Sequence, residues 1–306
     1  MKTLNVNKLT ILLGLFLVSA FFTTSANAFT ACTYNAENQI TTDMDSVEVL
    51  SLCAADPVQR KVQAYKIGLC TELPYNTNYK TVCDFIYDSA TPIELIAEKG
   101  VSSTISGIDN FTLIEDKLYT HTVLLISNTS SVKTLVEFPS DRLGATGQGT
   151  YCWSNGNAFA YLADLTRATY NVECGTLSEA NPQFNTEITA HMQDVTDPSV
   201  VGFARNFPDY DGGWTNILLS NEDDIATFDL GVAEYAAATS AIYWLAGRGI
   251  DGGAGLTVTA NTTALDLQFL VSWGSLLSWK VDDHCATTSC LRQILTAGFD
   301  FTASVN

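Results

Sequence analysis

Eight cysteines and two nearby acidic runs are the residues whose type and spacing offer chemistry. Cys32, Cys53, Cys70, Cys83, Cys152, Cys174, Cys285 and Cys290 form an even set. In an oxidising compartment an even set reads as disulfides, and their clustering favours sequential pairing: 32 with 53, 70 with 83, 152 with 174, 285 with 290. A zinc site does not fit. No Cys-x-x-Cys pair occurs, and His121, His191 and His284 are scattered along the chain.

Asp209 and Asp211 lie in one acidic run, and Glu222, Asp223 and Asp224 in the next. Together they offer oxygen ligands of the kind a hard cation such as calcium collects. The spacing is not that of an EF-hand, and solvated acidic turns are the competing reading. A pair of these carboxylates could also cleave a glycosidic bond, but sequence spacing does not fix their separation. Nucleophilic hydrolysis has no support: there is no Gly-x-Ser-x-Gly elbow, and the cysteines are better used as disulfides. His284, between Asp283 and Cys285, reads as a surface residue of a disulfide loop, and His121 as a sheet histidine. Trp153, Trp214 and Trp244 adjoin turn residues, where an exposed ring could stack on a sugar; packing in the core is the plainer alternative.

Composition narrows the partners. The 306 residues carry 33 acidic and 15 basic side chains, a net charge of -18, with 46% hydrophobic and only 16% charged residues. Such a chain, lacking any basic block, cannot neutralise phosphates or hold an anionic membrane surface by charge. Residues 1–28 read as a cleaved signal peptide: Lys2 and Lys8, an apolar run over 9–22, then small residues at Ala26 and Ala28. Residues 29–32 form a degenerate lipobox that would instead consume Cys32. No later run predicts a membrane span. The expected location is secreted or at the extracellular cell surface, with the periplasm as the alternative.

Period-two alternation supplies the elements that must position these groups. The clearest run is 265–281, where Leu265, Leu267, Phe269, Val271, Trp273, Leu277, Trp279 and Val281 share one parity and Gly274 marks a bend. Many short strands between Gly, Asn and Asp turns predict an all-β protein. The expectation is two disulfide-stapled antiparallel β-sandwich domains, 29–147 and 148–306, divided at the Gly-rich stretch 144–149. Helix is a candidate at 234–245, which is Ala-rich, and around 291–297. Phe299, Phe301, Ala303 and Val305 alternate with polar residues and predict a terminal strand, with Phe299, Phe301 and Val305 as candidate polymer contacts.

Residues 65–70 (Tyr-Lys-Ile-Gly-Leu-Cys), 83–88 (Cys-Asp-Phe-Ile-Tyr-Asp) and 119–123 (Tyr-Thr-His-Thr-Val) lie in a stretch, 62–138, with a recognisable pattern. It resembles secreted transthyretin-like or immunoglobulin-like β-sandwich modules of bacterial surface proteins. The resemblance implies a structural or adhesive role and supplies no catalytic residue. The expected function is a non-enzymatic cell-surface structural or adhesive protein, a filament subunit that self-associates or binds another surface protein through terminal-strand exchange. The alternative is a secreted protein that binds or cleaves glycans. Calcium is the one candidate cofactor.

Overall fold

The computed structural model describes residues 31–42, 51–99, 101, 103–104, 116–161, 171–189, 191–193, 214–224, 228–232, 235–238, 243–251, 254–259, 265–270, 274–279, 290–296 and 300–305. The alternating runs become strands: β1 (Ser51–Ala55), β2 (Gln59–Cys70), β3 (Cys83–Glu98), β4 (Ser103–Thr104), β5 (Lys117–Tyr119), β6 (His121–Lys133) and β7 (Leu135–Leu143). Beyond them come β8 (Gln148–Ser154), β9 (Ala158–Tyr161), β10 (Val172–Gly175), β11 (Asn185–Thr189), β12 (His191–Gln193), β13 (Trp214–Leu219) and β14 (Phe228–Val232). The last are β15 (Tyr235–Ala238), β16 (Tyr243–Gly249), β17 (Leu256–Val258), β18 (Leu265–Leu270), β19 (Ser275–Trp279), β20 (Leu291–Thr296) and β21 (Asp300–Val305). One helical turn, α1 (Tyr79–Val82), sits in the Cys70–Cys83 loop. The protein is all-β, and among the described residues its strand pairs are antiparallel apart from the parallel β9–β11 pair.

The central sheet is organised by β6. One of its edges bonds β2 from Cys70–His121 to Gln59–Lys133. The other edge is shared: β16 takes positions 121–127 and β11 takes 129–132. The sheet therefore forks at Asn128, where the Thr129 N–H donates to Ser127 Oγ (3.1 Å). Val123, Leu124, Leu125 and Ile126 are all buried, so β6 is covered on both faces, not on the one face that alternation suggests.

Register assigns the layers. Leu124 and Ile126 join Ile67, Leu69, Leu267, Phe269 and Ala303 in one core, beneath β18 and β21. Farther along the same face, Val132 joins Cys53, Phe138, Cys174, Leu277, Leu291 and Ile294, beneath the β1–β19–β20 sheet. Val123 and Leu125 point the opposite way, into a smaller core with Tyr79, Leu219 and Leu245. The predicted 265–281 run accordingly serves two sheets in turn, β18 before Gly274 and β19 after it.

Three of the expected disulfides are formed: Cys32–Cys53, Cys70–Cys83 and Cys152–Cys174. Cys290 is also disulfide-bonded, and Cys285 lies outside the described residues. The predicted helices are corrected to strands. Residues 234–245 contribute β15 and the start of β16, and 291–297 contribute β20. Alanine's helix preference amounts to a few tenths of a kcal/mol per residue and yields to ladder pairing and to burial of Leu245, Leu291 and Ile294.

The boundary expected at 144–149 does not coincide with a break in the sheets. Strands from both sides of it pair as β1–β19, β4–β18, β5–β17, β6–β11 and β6–β16. Its glycines serve close approach instead of flexibility. A Cβ on Gly149 would lie 2.1 Å from the Gly175 carbonyl oxygen, and Gly147 adopts φ +76° with Cys174 O 2.2 Å from where a Cβ would sit.

Where the two cores meet, polar groups are buried. Arg60 is 0% exposed and Glu187 8%, on β2 and β11 either side of β6. Glu187 Oε2 accepts both the backbone N–H and the hydroxyl of Thr296 at 2.6 Å. Burial raises the Glu187 carboxyl, partly offset by those donors and by Arg60, and lowers the Arg60 guanidinium to about 10. Nearby, Asn171 exchanges side-chain bonds with the backbone of Ile294 (2.8 and 2.9 Å), tying β20 into the other layer.

A carboxyl raised by folding contributes stability that is full below its ordinary value of 4.5 and is lost as pH rises through the folded value. Relative to Glu187→Gln, which keeps the acceptor oxygen but not the titration, the wild-type protein should lose stability over that window; parallel urea-unfolding curves across pH would contradict this. Glu187→Leu, which leaves the buried Thr296 N–H and hydroxyl without their acceptor, should cost about 1–3 kcal/mol in urea unfolding, and Glu187→Gln clearly less.

Candidate functional site

Among the described residues, the densest set of charged side chains forms where β2, β3 and α1 meet the loop after β13. In β2 the sequence Lys66-Ile67-Gly68-Leu69-Cys70 is buried on both faces, so the Lys66 ammonium must find partners inside the fold. It donates to Asp88 Oδ1 and lies 3.3 Å from Glu222 Oε2. Lys80, on α1, pairs with Asp223 (2.6 Å) and Glu222 (3.5 Å). The Tyr79 hydroxyl donates to the Glu222 backbone oxygen (2.8 Å), and Asn221 Oδ1 caps the N–H groups of Asp223 and Asp224 (2.8 and 2.9 Å). The 220–224 loop is thus clamped onto the loop closed by Cys70–Cys83.

Electrostatics follow the geometry. Burial, followed by the surrounding carboxylates Glu222, Asp223 and Asp88, drives the Tyr79 phenol far above its usual range. The Asp223 hydrogen bond raises the Lys80 ammonium. A second pair sits farther along β3: Lys117 Nζ and the Tyr119 hydroxyl both donate to Asp84 Oδ2, at 2.6 and 2.5 Å.

This geometry bears on the calcium residues. Glu222 and Asp223 face lysine ammonium groups, and Asp224 Oδ2 accepts from the Asn221 amide (2.7 Å). Asp209 and Asp211 lie outside the described residues. Among the described residues no group of three or more His, Cys, Asp or Glu is arranged to hold a metal. Lys66, Lys80, Tyr79 and Asp88 escaped the sequence reading. Their one signal was a lysine between Tyr65 and Ile67 in a run too apolar for a solvent-facing strand.

The terminal strand forms. β21 pairs with β18 over its full length, Phe301 opposite Phe269 and Val305 opposite Leu265, and it is an edge strand: among the described residues its ladder partner is β18 alone. Phe299 lies outside the described residues, as does His284. Ala303 is buried and Ser304 exposed. Trp153 is 4% exposed and part of the interior, so it offers no open ring for a sugar, and Trp244 packs against the main core. Trp214 starts β13. His121 opens β6, with the Thr120 hydroxyl 2.8 Å from its Nδ1. The disulfides are consistent with an extracellular protein. Among the described residues no helix is long and apolar enough to cross a membrane.

Tyr79→Phe removes the bond to the Glu222 carbonyl and should cost about 1 kcal/mol. In a spectrophotometric titration it should also delete a tyrosine that ionises well above the usual range. An unchanged titration curve would count against the clamped loop. The chain matches no protein-family model, no curated protein sequence and no solved structure.

Proposed function

We propose that this chain is a non-enzymatic extracellular structural or adhesive protein that associates with further copies of itself by strand addition along β21. The observation that carries this reading is the β21 edge. Its six residues bond β18 on one side, and on the other side no strand pairs with them among the described residues. An edge strand presents backbone donors and acceptors that a second chain can complete, and natural proteins block such edges with lysine or proline when association is unwanted. The β21 sequence Asp-Phe-Thr-Ala-Ser-Val contains neither. The export-type N-terminal segment, the disulfides and the scarcity of surface charge support a location outside the cell.

Ser304 is exposed on β21, so Ser304→Lys introduces a blocking charge with the core untouched. Purified protein should form concentration-dependent oligomers in light scattering and electron microscopy, and Ser304→Lys should remain monomeric with an unchanged near-UV spectrum. A wild-type protein that is monomeric at every concentration, or assembly indifferent to the substitution, would overturn the proposal.

A further inference from the structure

Lys66 and Asp88 are register partners in the β2–β3 ladder, so backbone pairing holds an amine and a carboxyl side by side. Their side chains are hydrogen-bonded, and a second carboxylate, Glu222 Oε2, stands 3.3 Å from the same nitrogen. The Lys66 side chain is only 8% exposed, with Nζ 5.5 Å from the centroid of the Phe85 ring. Glu222 is brought there by the loop that Tyr79 and Lys80 clamp. Amine, carboxyl and proton acceptor are therefore assembled around one enclosed nitrogen.

We propose that Lys66 and Asp88 are a site of covalent modification in which their side chains condense to an intramolecular amide, with Glu222 as the proton carrier. The Lys66 ammonium gives one proton to Glu222, and the freed lone pair attacks Asp88 Cγ to form the new C–N bond. One C–O bond of Asp88 breaks. Its oxygen leaves as water with two protons, one returned by Glu222 and one from the nitrogen, so ammonium plus carboxylate become amide plus water with no oxidant or reductant. Free amines and carboxylates in water do not condense to a useful extent, but groups held in contact react with effective concentrations of about 10⁵–10⁸ M. Asp88, 52% exposed, leaves the departing water a path to solvent.

The Lys117–Asp84 pair is the internal comparison. The second group on its carboxylate is the Tyr119 hydroxyl, a donor, where Lys66 has a second carboxylate to take its proton. The structure thus assigns the cross-link to one lysine–aspartate pair and not to the other. The link would close β2 to β3 beside the Cys70–Cys83 bridge and, unlike that bridge, would survive reduction. It is independent of association at β21, so Ser304→Lys protein should carry it equally.

Mass spectrometry of the full-length protein, denatured and reduced, tests this. The intact mass should fall one water below that of its own sequence. A digest should give one branched peptide joining the Lys66 and Asp88 segments, with no trypsin cleavage after Lys66 and none of this at Lys117. Lys66→Arg, Asp88→Ala and Glu222→Gln should each restore the full mass while near-UV circular dichroism reports the folded state. A wild-type mass without the deficit overturns the proposal. So does a deficit whose two peptides separate after reduction, which would be a succinimide at Asp88. A Glu222→Gln protein that keeps the branched peptide overturns the role of Glu222.

Discussion

Both edges of β6 are hydrogen-bonded, one by β2 along almost its whole length and the other by β16 and then β11. A strand paired on both sides and buried on both faces leaves its side chains no freedom of register. A slip by one residue would exchange Leu124 and Ile126 with Val123 and Leu125 between two different cores. The fork at Asn128 allows strands distant in sequence to share this template. The layers above it, β18 with β21 and β19 with β20, meet the positions on β6 that the fork sets out. An early β2–β3 hairpin could form from local chain, whereas β6, β11, β16 and β18 must be gathered over longer loops, which makes closure of this sheet costly in entropy.

The same arrangement explains why charge is buried at all. Where the two cores abut, the chain puts Arg60 on one flank of β6 and Glu187 on the other, with Thr296 of the opposite layer donating twice to the carboxylate. Burial disfavours the charged form of both groups, and each weakly favours the charged form of the other. Buried polar groups that must find specific partners disfavour alternative packings. Asn171 acts similarly by occupying both the N–H and the carbonyl of Ile294, as a neighbouring strand would.

The lysine–carboxylate cluster and β21 sit at the margins of this template. On one face, the Cys70–Cys83 loop and the 220–224 loop meet over Lys66, so a tertiary contact converts isolated surface acids into partners for lysines. At the other margin, β21 lies at the rim of a narrow sheet, where β18 is its one ladder partner among the described residues. Both features use ordinary residues, and neither carries a motif.

The sequence by itself determined the strand class, through its period-two runs, and three of the disulfide pairings, through cysteine clustering, since short loops lose least entropy on closure. It also marked a terminal strand at 299–305, whose alternation is local and which forms as β21 over Asp300–Val305. Tertiary structure alone decided the rest. Periodicity reports one buried face and is silent about a second, so it shows neither the two-sided burial of β6 nor the partners of Lys66. Composition suggested a linker at 144–149, where the fold needed glycine for backbone contact with Cys174 and Gly175. Alanine-rich 234–245 looked helical until long-range ladders outweighed its propensity. For the acids at 222–224 the sequence offered oxygen ligands alone, whereas the fold sets lysines from β2 and α1, more than a hundred residues earlier, against two of them. Strand identity depends on neighbours two residues away, whereas charge partnership depends on which distant strands share a sheet, and that is fixed only when the sheet closes around β6.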